Sequence, residues 1–247
     1  MLHIDEPRVL LLGDVHGRVD AVCAAMRKAN ARGINTIIQV GDYWAYEDTS
    51  VEKMLRYYGI HLYFIAGNHE NWPYLNKLSG TSTEPVPITP HVIYMPKLAA
   101  MKVGWLSTLC LGGAVSVDKL SRLENIDWFP EEVVTAGDAQ RAREMGEFDL
   151  VLTHDCPSDV TMPSECFVPR DMAISWFGEK QLNDADEHRE LLSRALENTR
   201  YTLLVHGHYH HSYSLKNGDA TIVGLGKEND YGSTVVLDTL TGDSYIV

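Results

Sequence analysis

The sequence predicts an α/β protein of four layers, an α-β-β-α sandwich of two mixed sheets with helices outside. Three observations predict it. The N-terminal part alternates strand-like and helix-like runs in a β-α-β-α-β rhythm, which implies right-handed crossovers and a largely parallel sheet. The C-terminal part has short apolar runs separated by Asn217-Gly218, Gly226 and Thr241-Gly242, which are hairpin signals. The chain of 247 residues, 45% hydrophobic and 22% charged, has enough material for a sizeable core, and no linker or repeat divides it. A single domain over 1–247 follows.

Taken in order, Arg8 to Leu12 reads as a strand buried on both faces. The period then changes: Val19, Val22, Cys23, Met26 and Ala29 recur at helical spacing, and Gly33 closes the helix. Thr36 to Val40 and His61 to Ala66 are the next strands, with a short helix over Val51 to Tyr58 between them. Thr81 to Pro90 is rich in Pro, Ser and Thr and reads as an exposed loop. Val103 to Leu111 predicts a strand, Glu131 to Glu144 a helix, and Asp149 to Thr153 another buried strand. Residues 156–180 carry Pro157, Pro163 and Pro169 among exposed aromatics and read as a long rim or lid loop. A helix over Asp186 to Leu196 and a strand over Tyr201 to Val205 precede the hairpins.

Five polar clusters stand at the ends of these apolar runs: Asp14-Val15-His16, Gly41-Asp42, Gly67-Asn68-His69-Glu70, Thr153-His154-Asp155 and His206-Gly207-His208-Tyr209-His210. Placed after strands, they fall where the crevice of an open α/β sheet lies. Carboxylates, an amide oxygen and imidazoles together suit a pair of divalent cations better than they suit packing. Imidazoles crowded as in the last cluster are expensive to desolvate unless a cation uses them.

The formal net charge of −13 opposes binding to nucleic-acid duplexes. Two divalent cations would bring it to about −9 and concentrate positive charge in one pocket, which favours a small or locally exposed phosphate. Cys23, Cys110, Cys156 and Cys166 show no CxxC spacing and read as reduced thiols. No basic-then-apolar leader and no run of membrane-spanning length is seen, so the expected setting is cytoplasmic, without a membrane partner.

In order and composition the five clusters resemble the calcineurin-like metallophosphoesterase family, whose blocks are D-x-H, G-D, G-N-H-[DE], a lone His after a strand, and G-H-x-H. The resemblance spans Asp14 to His210. It implies that Asp14, His16 and His210 hold one metal, that Asn68, His154 and His208 hold the second, and that Asp42 bridges them. Mixed oxygen and nitrogen ligands without thiolate suit Mn²⁺, Fe, Zn²⁺ or Ni²⁺ in expanded coordination, and the family habit puts Mn²⁺ first. The implied reaction is hydrolysis of small phosphodiesters or phosphomonoesters, cyclic nucleotides included, by a hydroxide shared between the metals. His69 resembles the family's catalytic histidine, the general acid, with Asp14 to orient it. A nuclease acting at exposed ends and a non-catalytic metal-binding scaffold of the same fold are the competing readings.

The stretch from Gly112 to Lys119, with Arg122 and Trp128 to Glu132, resembles a compact microbial branch of the family. Within it Arg122 or Lys119 is expected to clamp phosphate. The G-D-x-x-x-R-G block of the protein-phosphatase and dinucleoside-tetraphosphatase branches is not matched, since Gly41-Asp42 continues as Tyr43-Trp44-Ala45-Tyr46-Glu47. Phosphoprotein phosphatase activity is therefore disfavoured, and Tyr43, Trp44 and Tyr46 become candidates to stack a ring at the pocket edge.

Overall fold

The computed structural model describes residues 1–247. A short strand β1 (Leu2–Ile4) precedes β2 (Arg8–Leu12), α1 (Val19–Asn30), β3 (Thr36–Gln39), α2 (Thr49–Tyr58), β4 (His61–Phe64) and α3 (Trp72–Ser79). Then come β5 (Val86–Pro87), β6 (Val92–Tyr94), β7 (Leu98–Val103), β8 (Leu106–Leu111), α4 (Ala136–Glu144) and β9 (Leu150–Thr153). The remainder comprises α5 (Arg170–Phe177), α6 (Glu179–Leu196), β10 (Leu203–His206), β11 (Tyr213–Asn217), β12 (Ala220–Gly224), β13 (Thr234–Asp238) and β14 (Ser244–Ile246).

The strands form two seven-stranded sheets, in the orders β14-β13-β2-β3-β4-β6-β5 and β1-β7-β8-β9-β10-β12-β11. Alternation along β2 shows how they stack. Val9 and Leu11 join a core that also takes Met101, Cys110, Leu152 and Val205 from the other sheet. Leu10 and Leu12 point the opposite way, into a core shared with Val22, Met26, Val51 and Leu55 of α1 and α2. A third core packs Leu109, Val151, Leu204 and Ile222 against Ala139, Leu192 and Ala195 of α4 and α6. Helices, sheet, sheet, helices: the four layers are present, and β2 is apolar from Val9 to Leu12 because both its faces are covered there.

Local chemistry sets the helix ends. Asp48 accepts from the N–H groups of Ser50 and Val51 at the start of α2, and Gly59 in the left-handed region (φ 66°) closes it. Thr135 and Asp138 form a capping box, so the expected helix over Glu131 to Glu144 begins only at Ala136.

Other expectations are corrected. Val103 to Leu111 is not one strand: Gly104 (φ 57°) reverses the chain, and β7 and β8 pair antiparallel. The span 156–180 is not simply a loop, because α5 occupies its second half. The C-terminal part is not purely antiparallel. β12 lies antiparallel to β11 but parallel to β10, and the chain then crosses to the other sheet, where β13 pairs antiparallel with β2. No helix is long and apolar enough to cross a membrane.

Candidate metal centre

Strands β2, β3 and β4 run parallel in one sheet, and β9 and β10 run parallel in the other. Their carboxyl ends deliver the five polar clusters to one place. The backbone there is unusual: His16 (φ 45°), Asp42 (φ 59°), His208 (φ 67°) and His210 (φ 56°) all lie in the left-handed region. Each costs about 1 kcal/mol for an L-residue, and strain of this kind gathers at functional sites. The glycines of the clusters have a different task. A Cβ on Gly67 would collide with Asp42 Oδ1 and His154 Nε2, and one on Gly207 with Asp14 Oδ1. Only hydrogen at those positions lets the side chains converge.

Asp42 is buried and divides its carboxylate. Oδ1 lies 3.4 Å from His154 Nε2, while Oδ2 lies 3.3 Å from His16 Nε2. His154 Nε2 is also 3.2 Å from Asn68 Oδ1. Asp14, likewise buried, places Oδ2 3.1 Å from His210 Nε2 and accepts the His208 N–H on both oxygens. The ligand atoms of Asp14, His16 and His210 lie within 4.8 Å of one another, as do those of Asp14, Asp42 and His154. His208 sits at the edge of the cluster, its ring centroid 5.2 Å from that of His154.

Partners outside the cluster aim these atoms. His154 Nδ1 donates to the Val40 carbonyl at 2.8 Å, which aims Nε2 into the cluster. Asn68 Nδ2 donates to Ser116 Oγ at 3.0 Å, and Ser116 Oγ donates to Glu132 at 2.8 Å. Glu132 also takes the Trp128 Nε1–H at 3.0 Å. That chain fixes which end of the Asn68 amide faces the cluster: the oxygen. His16 Nδ1 lies 3.5 Å from Glu228 Oε1.

The electrostatics call for positive charge. Burial opposes ionisation of Asp42, yet the His154 and His16 imidazoles hold it well below the usual carboxylate range. Conversely, burial would lower His154, but the Asp42 and Asp14 carboxylates raise it to about 10. A proton on His154 thus stands in for a cation between two buried carboxylates. His208, by contrast, is pushed down to about 4 by burial, with His154 adding to the effect, and offers a neutral imidazole. Two carboxylates, an amide oxygen and neutral imidazoles, with no thiolate, are donors for a hard or borderline divalent metal. The residues fit such ions.

A family profile for calcineurin-like phosphoesterases matches residues 7–212, which takes in all five clusters. The chain belongs to the calcineurin-like phosphoesterase family. It is therefore a metal-dependent phosphoesterase, a hydrolase with candidate residue groups for divalent ions. Among solved structures, TT1561 of Thermus thermophilus shares 11% identity over 98% of each chain with a TM-score of 0.58. A dimetal phosphatase from Danio rerio shares 12% over 94% of this chain and 92% of its own, with a TM-score of 0.51. A putative 5′-nucleotidase from Staphylococcus aureus shares 13% over 97% of this chain and 52% of its own, at 0.50. At such identities these likenesses speak for the fold. No curated protein sequence matches the chain significantly.

Around this phosphoesterase centre three expectations change. Tyr43 is fully buried, its ring 4.9 Å from that of Phe64 and its hydroxyl without a partner, so it stacks nothing at the pocket edge. The left-handed turns at Asp42 and Trp44 send Tyr43 inward and leave Trp44 42% exposed beside His69. Lys119 points away, to Asp184 of α6 at 2.7 Å. Asp14 makes its polar contacts to His208 and His210, without a hydrogen bond to His69; the His69 backbone N–H donates instead to Asp42 Oδ1 at 2.7 Å. Arg122 Nη2 lies 2.7 Å from His69 Nε2, in an open recess shared with His16, Trp44 and Asp127.

Sequence reasoning gave no role to Ser116 and Glu132, although both lie in the stretch that resembles a compact branch of the family, and it passed over Glu228. It also left Glu70 unassigned. This buried carboxyl accepts from the N–H groups of Tyr43 and Trp44 and binds two ligand loops together. Burial, with Asp42 nearby, raises it to about 8. His188 is a satisfied core histidine, donating from Nδ1 to Asp155 at 2.8 Å and accepting the Val134 N–H on Nε2.

Proposed function

We propose that this phosphoesterase is dinuclear and hydrolyses small phosphodiesters and phosphomonoesters, cyclic nucleotides included. The observation that carries the reading is the divided carboxylate of Asp42, one oxygen toward His154 and Asn68, the other toward His16. One carboxylate so placed spans the ~3.5–4 Å separation of two-metal hydrolases. Asp14, His16 and His210 would hold one ion, and Asn68, His154 and His208 the other, with Asp42 shared. Mn²⁺ is placed first, with Fe, Zn²⁺ and Ni²⁺ as alternatives. Such ions supply neutralisation of the phosphoryl oxygens and a water of lowered pKa.

The rest falls to side chains. Arg122 offers a guanidinium fork to a phosphoryl oxygen, from a resting place against His69. His69 gives the leaving oxygen its proton once Arg122 has turned from its Nε2 to the phosphate, and the His69 backbone N–H to Asp42 Oδ1 holds the loop in place. The acidic chain and the small recess favour a compact substrate over duplex nucleic acid. Four free cysteines, two of them with burial raising the thiol to about 12, suit a reducing, cytoplasmic setting.

The test is to strip the protein with chelator and restore Mn²⁺, Ni²⁺, Zn²⁺ or Mg²⁺ singly. Bound metal is counted, and turnover is followed with bis-p-nitrophenyl phosphate, p-nitrophenyl phosphate, and 2′,3′- and 3′,5′-cyclic AMP. The expected result is two ions per chain and restored hydrolysis. One ion per chain would remove the dinuclear reading, and silence with every metal would leave the scaffold.

A further inference from the structure

A second cavity adjoins the metal centre from the other side. It has a volume of about 520 Å³, lies under α5 and the first half of α6, and is walled by Val117, Phe167, Ala173, Phe177, Leu182 and the ligand candidate His208. Cavities of this size hold small organic ligands. Its charged neighbours are spoken for. Arg170 pairs with Asp186 at 2.7 Å, and Arg189 donates to the carbonyls of Cys156, Pro157 and Val160. Tyr209, with its ring 5.5 Å from Phe167, donates its hydroxyl to Asp155 at 2.8 Å. Apart from the His208 ring, what remains facing the space is apolar, and none of its lining residues belongs to the recess of His16, His69 and Arg122.

We propose that this cavity is a substrate subsite that takes the retained organic substituent of a phosphodiester, and that the substituent is an uncharged apolar or aromatic group. The inference rests on the phosphoesterase reading above. The attacking water and the leaving oxygen beside His69 lie in line through phosphorus, so the group that stays on phosphorus departs sideways, and the apolar space beside His208 is the wall of the site with room to take it. Hydrolysis forms one P–O bond from water, breaks the P–O bond to the leaving group and passes a proton to the departing oxygen. The products are an alcohol and a phosphomonoester that still carries the apolar substituent. A charged substituent is disfavoured because the cavity has no free counter-charge to meet it.

The experiment compares ethyl p-nitrophenyl phosphate with phenyl p-nitrophenyl phosphate on the Mn²⁺-loaded enzyme, so that the leaving group is constant. The phenyl ester is expected to win in kcat/KM by on the order of tenfold or more, mainly through KM, as burial of a ring's apolar area implies. Ala173→Trp fills the cavity from α5 and should erase that advantage while leaving the ethyl ester within about twofold. Phe167, 45% exposed, gives a second variant with little risk to folding: Phe167→Ala should reduce the phenyl preference. Equal kcat/KM for the two esters, or an Ala173→Trp loss shared equally by both in a folded protein, would overturn the proposal. Calorimetric binding of phenylphosphonate against methylphosphonate separates this from failure of the hydrolase reading. Tighter phenylphosphonate binding that Ala173→Trp abolishes upholds the subsite even in a protein without turnover, and equal binding overturns it.

Discussion

The recess of His16, Trp44, His69 and Arg122 is polar and stands on short loops directly after β2, β3 and β4 or beside them. The cavity under α5 and α6 is apolar and belongs largely to the long crossover from β9 to β10. The difference divides the labour. Groups that would touch phosphorus in the proposed reaction are pinned to strand ends of the two sheets, where backbone pairing fixes their positions. The group that would choose between substrates is packed from helices that can vary without moving a ligand.

Breaking the polar side should show in kcat. Asp42→Asn removes the charge common to both ligand sets, and turnover should fall roughly 10³-fold or more, with loss of bound metal measured by elemental analysis. His69→Ala should lower kcat by roughly 10²–10⁴-fold while metal content stays the same, which separates a proton donor from a ligand. Ser116→Ala frees the Asn68 amide to turn, so affinity for the metal should weaken about 10- to 100-fold in a chelator competition. An unchanged affinity would mean that the Asn68–Ser116–Glu132 chain aims nothing.

Two smaller effects sharpen the contrast through pH. Burial lowers His69, and Arg122 lowers it further against the opposing pull of Asp42. Arg122→Met removes that positive charge, so the imidazole keeps its proton to higher pH. The alkaline fall of kcat, where a general acid is lost, should then move upward in a pH–rate profile. The last effect concerns stability without metal. His154 in the folded chain titrates near about 10, above the ordinary 6.5, and Glu70 near about 8, above 4.5. Both bind protons in the folded state that the unfolded chain has released, so they stabilise fully below their ordinary values and lose that contribution as pH rises through 8 and then 10. Melting of the chelated protein should drop by a few °C from pH 7 to 9, since ~1 kcal/mol is worth ~2–4 °C at this size. Added metal should flatten the trend by replacing the His154 proton.

Much of this is legible in the sequence alone. The ligand loops announce themselves because each is a polar triplet or so at the end of an apolar run, and two-sided burial makes runs such as Arg8 to Leu12 unmistakable. Short strands are not. β1 and β6 have three residues each and lean on neighbours for their pairing. The turn at Gly104 lacks the Asn or Asp that marks a hairpin. Tyr43 and Trp44 are adjacent aromatics whose fates are set by the turn they sit in, which composition does not reveal. Ser116 and Glu132 are sixteen positions apart and become partners only when β8 delivers the chain beside Asn68.

The left-handed torsions of His16, Asp42, His208 and His210 carry a last implication. Relaxing any of them to glycine would ease the resting fold and ruin what it is for. Selection for heat resistance alone, with no demand on turnover, should therefore erode this pocket first. An ancestor-to-descendant series that hardened while losing catalysis would be recording the release of that tension.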